Sequence, residues 1–421
     1  WQCIAYNTAT LPPMRVLAPV ATLLLSASIL LAGQGLQATL LPVRASLETF
    51  STFAIGSMGA AYFFGFTLGC LKGGELVRRV GHIRVFLAMS AIASAAPLVH
   101  GLVVNPLAWN LLRFLTGFCL ASLYLVIESW LNESSDNSNR GLIFSTYTMI
   151  TLTMMAAGQL MTLLYEPTGL QLFIIASVLF SIGAVPVALS VAPSPAQPAR
   201  TDIDLRELLT VSPSGAVGCF AAGLATGSFW GLAPIFAGAV GDAVSVAAMF
   251  MASVVIGGAV TQWPLGLLSD RFGRRKVLIV VTALAGIAGI VLAAGMSQLD
   301  VKSAILLAAA WGGFALPVYS ISVAYANDYA NPSDYVRMSA GLLFVYGLGA
   351  IAGPFIASAL MTWYDASGLF WFTAATHVLL VAFITFRFFK EGNQAEEPIA
   401  FGDALASAQT ASRVYEEELG D

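Results

Sequence analysis

Gly266-Leu-Leu-Ser-Asp-Arg-Phe-Gly-Arg-Arg-Lys276 sets one acid, four bases and two glycines between two long apolar runs, and no other stretch of the chain is as dense in charge. A short cationic connection between two apolar spans is retained on the cytoplasmic side of a bilayer. It therefore fixes the side of this loop and, by alternation, of every other loop. Outward from it, segments of about 20 apolar residues, the length a span needs, occur twelve times. They lie at approximately 15–42, 50–72, 82–103, 107–131, 141–164, 170–192, 214–238, 243–267, 275–297, 302–326, 337–362 and 367–389.

The composition demands such spans. Of 421 residues, 58% are hydrophobic and 10% charged, with a mean hydropathy of +0.81, whereas a soluble domain carries roughly 25% charged residues. The net charge of −4 matters less than its placement. With both termini inside, sixteen of the 19 Lys and Arg fall on the cytoplasmic side. Arg44 and Lys302 fall outside, and Arg113 lies within a span. Cys3, Cys70, Cys119 and Cys219 show no metal-binding spacing, and the last three read as small packing residues in apolar runs.

The spans group into two sets of six. Residues 1–13, with Pro12-Pro13, stand apart as an N-terminal extension; the run Val16–Pro42 is too long for the core of a cleaved signal peptide. Residues 14–193 form a first six-helix bundle, 194–213 a polar cytoplasmic linker, 214–390 a second bundle and 391–421 an acidic cytoplasmic tail. Within the tail, Phe401–Leu419 is either a short amphipathic helix or disordered. An internal repeat relates the bundles. Pro42 and Gly81 recur 192 residues on as Pro234 and Gly273; Gly117, Tyr124, Asn132 and Gly158 recur 195 residues on as Gly312, Tyr319, Asn327 and Gly353.

The loop at Gly266–Lys276 resembles the signature of the major facilitator superfamily, Gly-x-x-x-Asp-Arg-x-Gly-Arg-Arg/Lys. Arg113-x-x-x-Gly117 in the fourth span and Gly349-Ala-Ile-Ala-Gly-Pro354 in the eleventh extend the likeness over residues 14–390. Glu128-Ser-Trp-Leu-Asn132 resembles a poorly characterised bacterial branch. The resemblance implies an all-α membrane protein of twelve transmembrane helices in two pseudo-symmetric bundles, with a solute held between them near the midplane. It also implies a cytoplasmic latch in which Asp270, Arg271, Gly273 and Arg274 act with Arg140-Gly141 at the start of the fifth span. The first-half copy reads Gly74-Glu-Leu-Val-Arg78-Arg79-Val-Gly81-His82-Ile-Arg84, with Arg78 where the second half has Asp270. Arg79, Gly81 and Arg84 are thus expected to set topology and contribute to gating, and Glu75 is a shifted candidate acid.

Two charges lie clearly inside the predicted spans, Arg113 and Glu128, both in the fourth. Ionisable groups are costly in hydrocarbon and mark function by default. At 100° per residue Gly117, Tyr124 and Glu128 fall within about 60° of Arg113 on the helix circumference, so one stripe holds all four. Fifteen residues is about 22 Å of rise, too far for an ion pair between Arg113 and Glu128. Arg113 either anchors negative charge on a solute or bonds carbonyls of the first span, with Gly117 allowing close helix approach. Glu128 either takes up and releases protons or pairs with Arg140 or Arg337.

Gln34, Gln37, Tyr62, Tyr147, Thr226, Phe229, Trp230, Gln262, Tyr319 and Tyr346 join Arg113 and Tyr124 as candidate walls of a mixed polar and aromatic cavity. Taken singly, each suits helix packing better; as a set they suggest a mid-sized site. His377 is expected at the periphery of the twelfth span and His100 at an outer loop.

The chain lacks a phosphate-cradling Gly-x-x-x-x-Gly-Lys-Ser/Thr loop, a His/Cys cluster and a nucleophile elbow. No cofactor, metal, nucleic-acid partner or enzymatic activity is expected. The expectation is a monomeric secondary transporter of the bacterial inner membrane that moves a small organic solute, anionic or amphipathic, coupled to protons. The alternative is a transport-silent assembly or sensory subunit on the same scaffold.

Overall fold

The computed structural model describes residues 20–135, 139–189, 205–242, 244–330, 335–391 and 402. The N-terminal extension, most of the linker and nearly all of the acidic tail lie outside the described residues. Twelve spans are long and apolar enough to cross a membrane: Ala21–Leu47, Thr52–Val80, His82–Leu102, Pro106–Glu133, Gly141–Leu164, Gln171–Ala188, Pro213–Val240, Ser245–Phe272, Arg274–Gly295, Val301–Asn327, Arg337–Trp363 and Gly368–Lys390. They are numbered first to twelfth below. No strand occurs among the described residues.

Several helices outrun their apolar stretches. The first continues through Pro42 to Leu47 instead of ending at the proline. The second reaches Val80 and the eighth Phe272. Backbone hydrogen bonding carries these helices past the hydrocarbon, and on the second and eighth the exposed Lys72, Arg79 and Arg271 side chains reach water. The cationic connection at Gly266–Lys276 is consequently not a loop. Asp270 and Arg271 close the eighth helix, Gly273 alone turns the chain, and Arg274 opens the ninth. Gly273 has φ of 89°, and Gly81, at the same point of the first half, also has 89°. A side chain is strained at such an angle, which reserves both positions for glycine. The tenth span breaks at Leu316, because Pro317 supplies no amide proton to continue the ladder.

The repeat extends to atomic contacts. A Cβ built on Gly117 would lie 2.0 Å from the Tyr62 carbonyl oxygen, and one on Gly312 would lie 2.2 Å from that of Val254. Gly65 meets Phe114 as Gly257 meets Ala309, Gly35 meets Met155 as Gly227 meets Ala350, and Gly158 meets Ala32 as Gly353 meets Leu224. In every pair one partner shifts by 192 residues and the other by 195. Small residues let helix backbones touch, which holds bundles together where no water is present to drive apolar association.

The halves meet through the second and eleventh spans, the fifth and eighth, and the seventh against the first and second. Phe53 and Phe355 stack tilted at 5.9 Å. Gly56 lies against Ser358 and Pro354, Gly59 against Gly231, and Gly347 against Thr67. Ala156, Ala252 and Val255 form a further apolar contact. These contacts run from the face opposite the basic connections to the midplane, so the halves are closed on that opposite face. Leu36, Leu40, Leu41, Phe229, Leu232, Ala233 and Phe236, each at most 1% exposed, belong to one apolar cluster that draws on both halves. On that face a cavity of about 230 Å³ opens between Val43, Ser46, Leu47, Pro234, Ile235, Gly238 and Ala239. Exposed Trp363, Tyr364 and Tyr165 ring the same face, as aromatic side chains do at a bilayer interface.

Candidate functional site

On the basic face, Arg274 joins two acids. Its Nη1 lies 3.1 Å from Asp270 Oδ1, four residues back across the Gly273 turn, and its Nε donates to Asp328 Oδ2 at 2.7 Å. The Arg274 side chain is 2% exposed and that of Asp328 5%. The network thus ties the eighth, ninth and tenth spans of one half together. Arg140, the partner expected across the halves, has its side chain outside the described residues, and Gly141 has no neighbour near the position of a Cβ. Asp328 escaped the sequence reading, although the spacing that pairs Asn132 with Asn327 also pairs Glu133 with Asp328. In the first half Arg79 pairs with Glu75 on its own helix and is largely exposed, and Arg84 is exposed. Asp328→Asn keeps an oxygen that accepts from Arg274 but removes its charge. It is expected to lower stability by about 1–3 kcal/mol, read as a lower melting temperature in detergent.

At mid-depth three spans of the first half converge on one amide. Gln34 Nε2 donates to the Tyr62 hydroxyl at 3.0 Å, and the Tyr124 hydroxyl donates to Gln34 Oε1. The Arg113 guanidinium lies over the Tyr62 ring, 4.2 Å from its centroid, a cation–π contact strengthened by removal from water. Arg113 and Gly117 are therefore both set against the second span, not the first. Phe66 bridges the two tyrosines, 6.1 Å from each ring. Glu128 is 9% exposed.

From the second half, Thr226 spends its proton on the Ala222 carbonyl at 2.6 Å, which leaves Tyr346 to donate to Thr226 at 2.9 Å. Tyr346 packs against Tyr319 at 4.9 Å. Tyr62, Tyr124, Tyr147, Trp230 and Tyr346 share one packed cluster that crosses between the halves. The other sequence candidates are placed differently. Phe229 is fully enclosed between Trp230 and Trp311, so it belongs to the apolar core. Gln37 is 2% exposed, and Gln262 is half-buried on the eighth span. Neither histidine is peripheral. His377 is buried beside Trp311, and His100 is buried against Trp109 with Nδ1 on the Ala96 carbonyl.

Two duplicated six-helix bundles with a polar, aromatic seam between them are matched by sequence. The profile of the Major Facilitator Superfamily covers residues 23–213 and 215–415. The chain belongs to the major facilitator superfamily. Among relatives of this superfamily member, an uncharacterised MFS-type transporter YcaD of Salmonella newport is 28% identical over 94% of this chain and 99% of its own. That of Escherichia fergusonii is 29% identical over 79% and 86%. Among solved structures, the nucleoside transporter NupG superposes with a TM-score of 0.74 at 15% identity, covering 88% of this chain and 98% of its own. A bacterial homologue of the human lysosomal transporter Spinster, in an inward-facing and occupied conformation, gives 0.69 at 16% identity over 92% and 100%. At these identities the structural likeness speaks for the fold.

Proposed function

We propose that this superfamily member is a proton-coupled secondary transporter of the bacterial inner membrane, a monomer with both termini cytoplasmic, which moves a small organic solute by alternating access. The excess of Lys and Arg on one face supports that orientation, and closure of the opposite face supports an inward-facing state. The observation that carries the reading is the seam at mid-depth. A stacked cation and a Gln34–Tyr62–Tyr124 network on one half face Thr226, Tyr319 and Tyr346 on the other. Arg113 supplies the positive charge at this site and the aromatic rings supply apolar area, which fits anionic or amphipathic solutes better than cations. Asp270, Arg271, Gly273 and Arg274, with Arg140, Arg79, Gly81 and Arg84, act at the cytoplasmic gate in this reading.

A thermal-shift screen of carboxylates, nucleosides, sugars, peptides and lipophilic cations on the purified protein tests the site. Anionic or amphipathic compounds are expected to raise the melting temperature of the native protein. Arg113→Gln is expected to weaken that binding about tenfold, a loss of roughly 1.4 kcal/mol. Stabilisation by cations alone overturns the assignment of Arg113. The first-half connection favours a second reading as a transport-silent partner subunit, since its Arg79 pairs within its own helix rather than across helices as Arg274 does. A stable co-purifying protein with no solute flux is the result that reading requires.

A further inference from the structure

The repeat that relates the two bundles also relates the two sides of the seam. At the 192-residue spacing Gln34 on the first span corresponds to Thr226 on the seventh, and at the 195-residue spacing Tyr124 on the fourth corresponds to Tyr319 on the tenth. Equivalent positions of duplicated bundles stand at equal depth on opposite sides of the pseudo-twofold axis. On each side a tyrosine hydroxyl bonds to the first of these positions. Tyr124 donates to Gln34, and Tyr346, packed on Tyr319 at 4.9 Å, donates to Thr226. The second and eleventh spans touch at this level, where Gly347, beside Tyr346, lies against Thr67, beside Phe66. Phe66, Tyr124 and Tyr346 pack on one cluster, yet they and Tyr319 all keep part of their surface exposed. Because Tyr124 and Tyr346 bond to the first and seventh spans, the most enclosed of the twelve, that surface opens inward and not to lipid.

The charge, in contrast, is not duplicated. At the 195-residue spacing Arg113 corresponds to Ala308, so the cation stands on one side only. From its guanidinium, contacts of 4.2 Å to the Tyr62 ring and 3.0 Å between Tyr62 and Gln34 lead to the Tyr124 hydroxyl. Phe66 lies 6.1 Å from both tyrosine rings, and the wall is therefore aromatic from the cation to Tyr124. A guanidinium matches the planar fork of a carboxylate. Aromatic faces attract another aromatic ring beyond what its buried area supplies, and a saturated ring of the same size lacks that attraction. We propose that the solute is an aromatic carboxylate, with its acid group at Arg113 and its ring between Tyr124 of the first half and the Tyr319–Tyr346 pair of the second. The proposal rests on the anionic-solute reading above and narrows it to one chemical class.

Binding to the full-length protein in lipid nanodiscs, measured by titration calorimetry, tests it. The probes are benzoate, hydrocinnamate and indoleacetate, with cyclohexanecarboxylate and cyclohexanepropionate as saturated counterparts of the first two. The aromatic acid of each pair is expected to bind about fivefold more tightly, although the saturated one is the more apolar. Tyr319→Leu is expected to remove that preference, Tyr319→Phe to keep it, and Arg113→Gln to weaken both acids of a pair alike. Tyr346→Leu, which removes the neighbouring ring, is a second variant with the same expectation as Tyr319→Leu. Saturated acids that bind as tightly as their aromatic counterparts overturn the proposal. So does a preference that survives in folded Tyr319→Leu and Tyr346→Leu proteins, or the absence of binding by every aromatic acid. Hydrocinnamamide binding as tightly as hydrocinnamate is a distinct result, which overturns the anionic-solute reading underneath.

Discussion

Glu128→Gln is expected to abolish pH-gradient-driven solute flux in proteoliposomes while leaving solute exchange down its own gradient in place. Glu128 is an acid inside a span, 9% exposed, one turn from Tyr124 on the fourth helix. Its position on the fourth helix places it nearer the basic face than Arg113. An acid so placed can couple proton occupancy to the relation between the halves: protonation removes a charge from the seam, and release restores it. Glutamine keeps the shape and the hydrogen-bonding oxygen but carries no exchangeable charge, so binding and rocking persist while the proton no longer drives them. Driven flux is expected to fall to the level of empty liposomes. Driven flux equal to that of the native protein removes Glu128 from the coupling mechanism.

Gly117→Leu is expected to prevent folding of the first bundle or to leave it far less stable. A Cβ on Gly117 would sit 2.0 Å from the Tyr62 carbonyl oxygen and 2.9 Å from the Phe66 nitrogen. The obstacle is helix backbone, which cannot rotate aside as a side chain can. Overpacking a close helix contact costs about 1–3 kcal/mol where the neighbours can yield, and here the second and fourth spans must part along their length. Such a separation also removes Tyr62 from beneath Arg113. The repeat makes the prediction double: Gly312→Leu should act the same way in the second bundle, through the Val254 carbonyl at 2.2 Å. Gly141→Ala, with nothing near its Cβ position, is the control expected to leave stability unchanged. Yield of monodisperse protein and melting temperature in detergent give the answer. A Gly117→Leu protein as stable as the Gly141→Ala control refutes the packing account.

Much of the architecture is legible in the amino-acid sequence because a membrane leaves few solutions. Backbone groups must be satisfied within helices, so hydropathy alone marks twelve spans. Duplication shows wherever a glycine is irreplaceable, as at Gly81 and Gly273, or at Gly117 and Gly312. Helix ends are less legible, since hydropathy stops at the edge of hydrocarbon while hydrogen bonding does not; that is why Asp270 and Arg271 prove helical. Partners are the least legible. The stripe on the fourth span identifies Arg113, Gly117, Tyr124 and Glu128 as one face, but periodicity does not say which neighbour that face meets, and the second span takes the place expected of the first. Asp328 carries no local signal and is found only by extending the repeat by one residue past Asn327. Phe229 and His377 show the converse error, since an apolar helix gives no sequence clue to whether a ring points to a cavity, to lipid or to the core.

The account depends on the two halves exchanging between closure at one face and closure at the other. Spin labels at Phe53→Cys and Phe355→Cys, exposed positions on the second and eleventh spans whose native rings are 5.9 Å apart, measure that exchange in liposomes once the native cysteines are replaced by serine. Double electron–electron resonance is predicted to show a short-distance population corresponding to this structure together with a longer one whose share changes between about pH 5 and pH 8. A single short-distance population at every pH, with or without stabilising solutes, would contradict it.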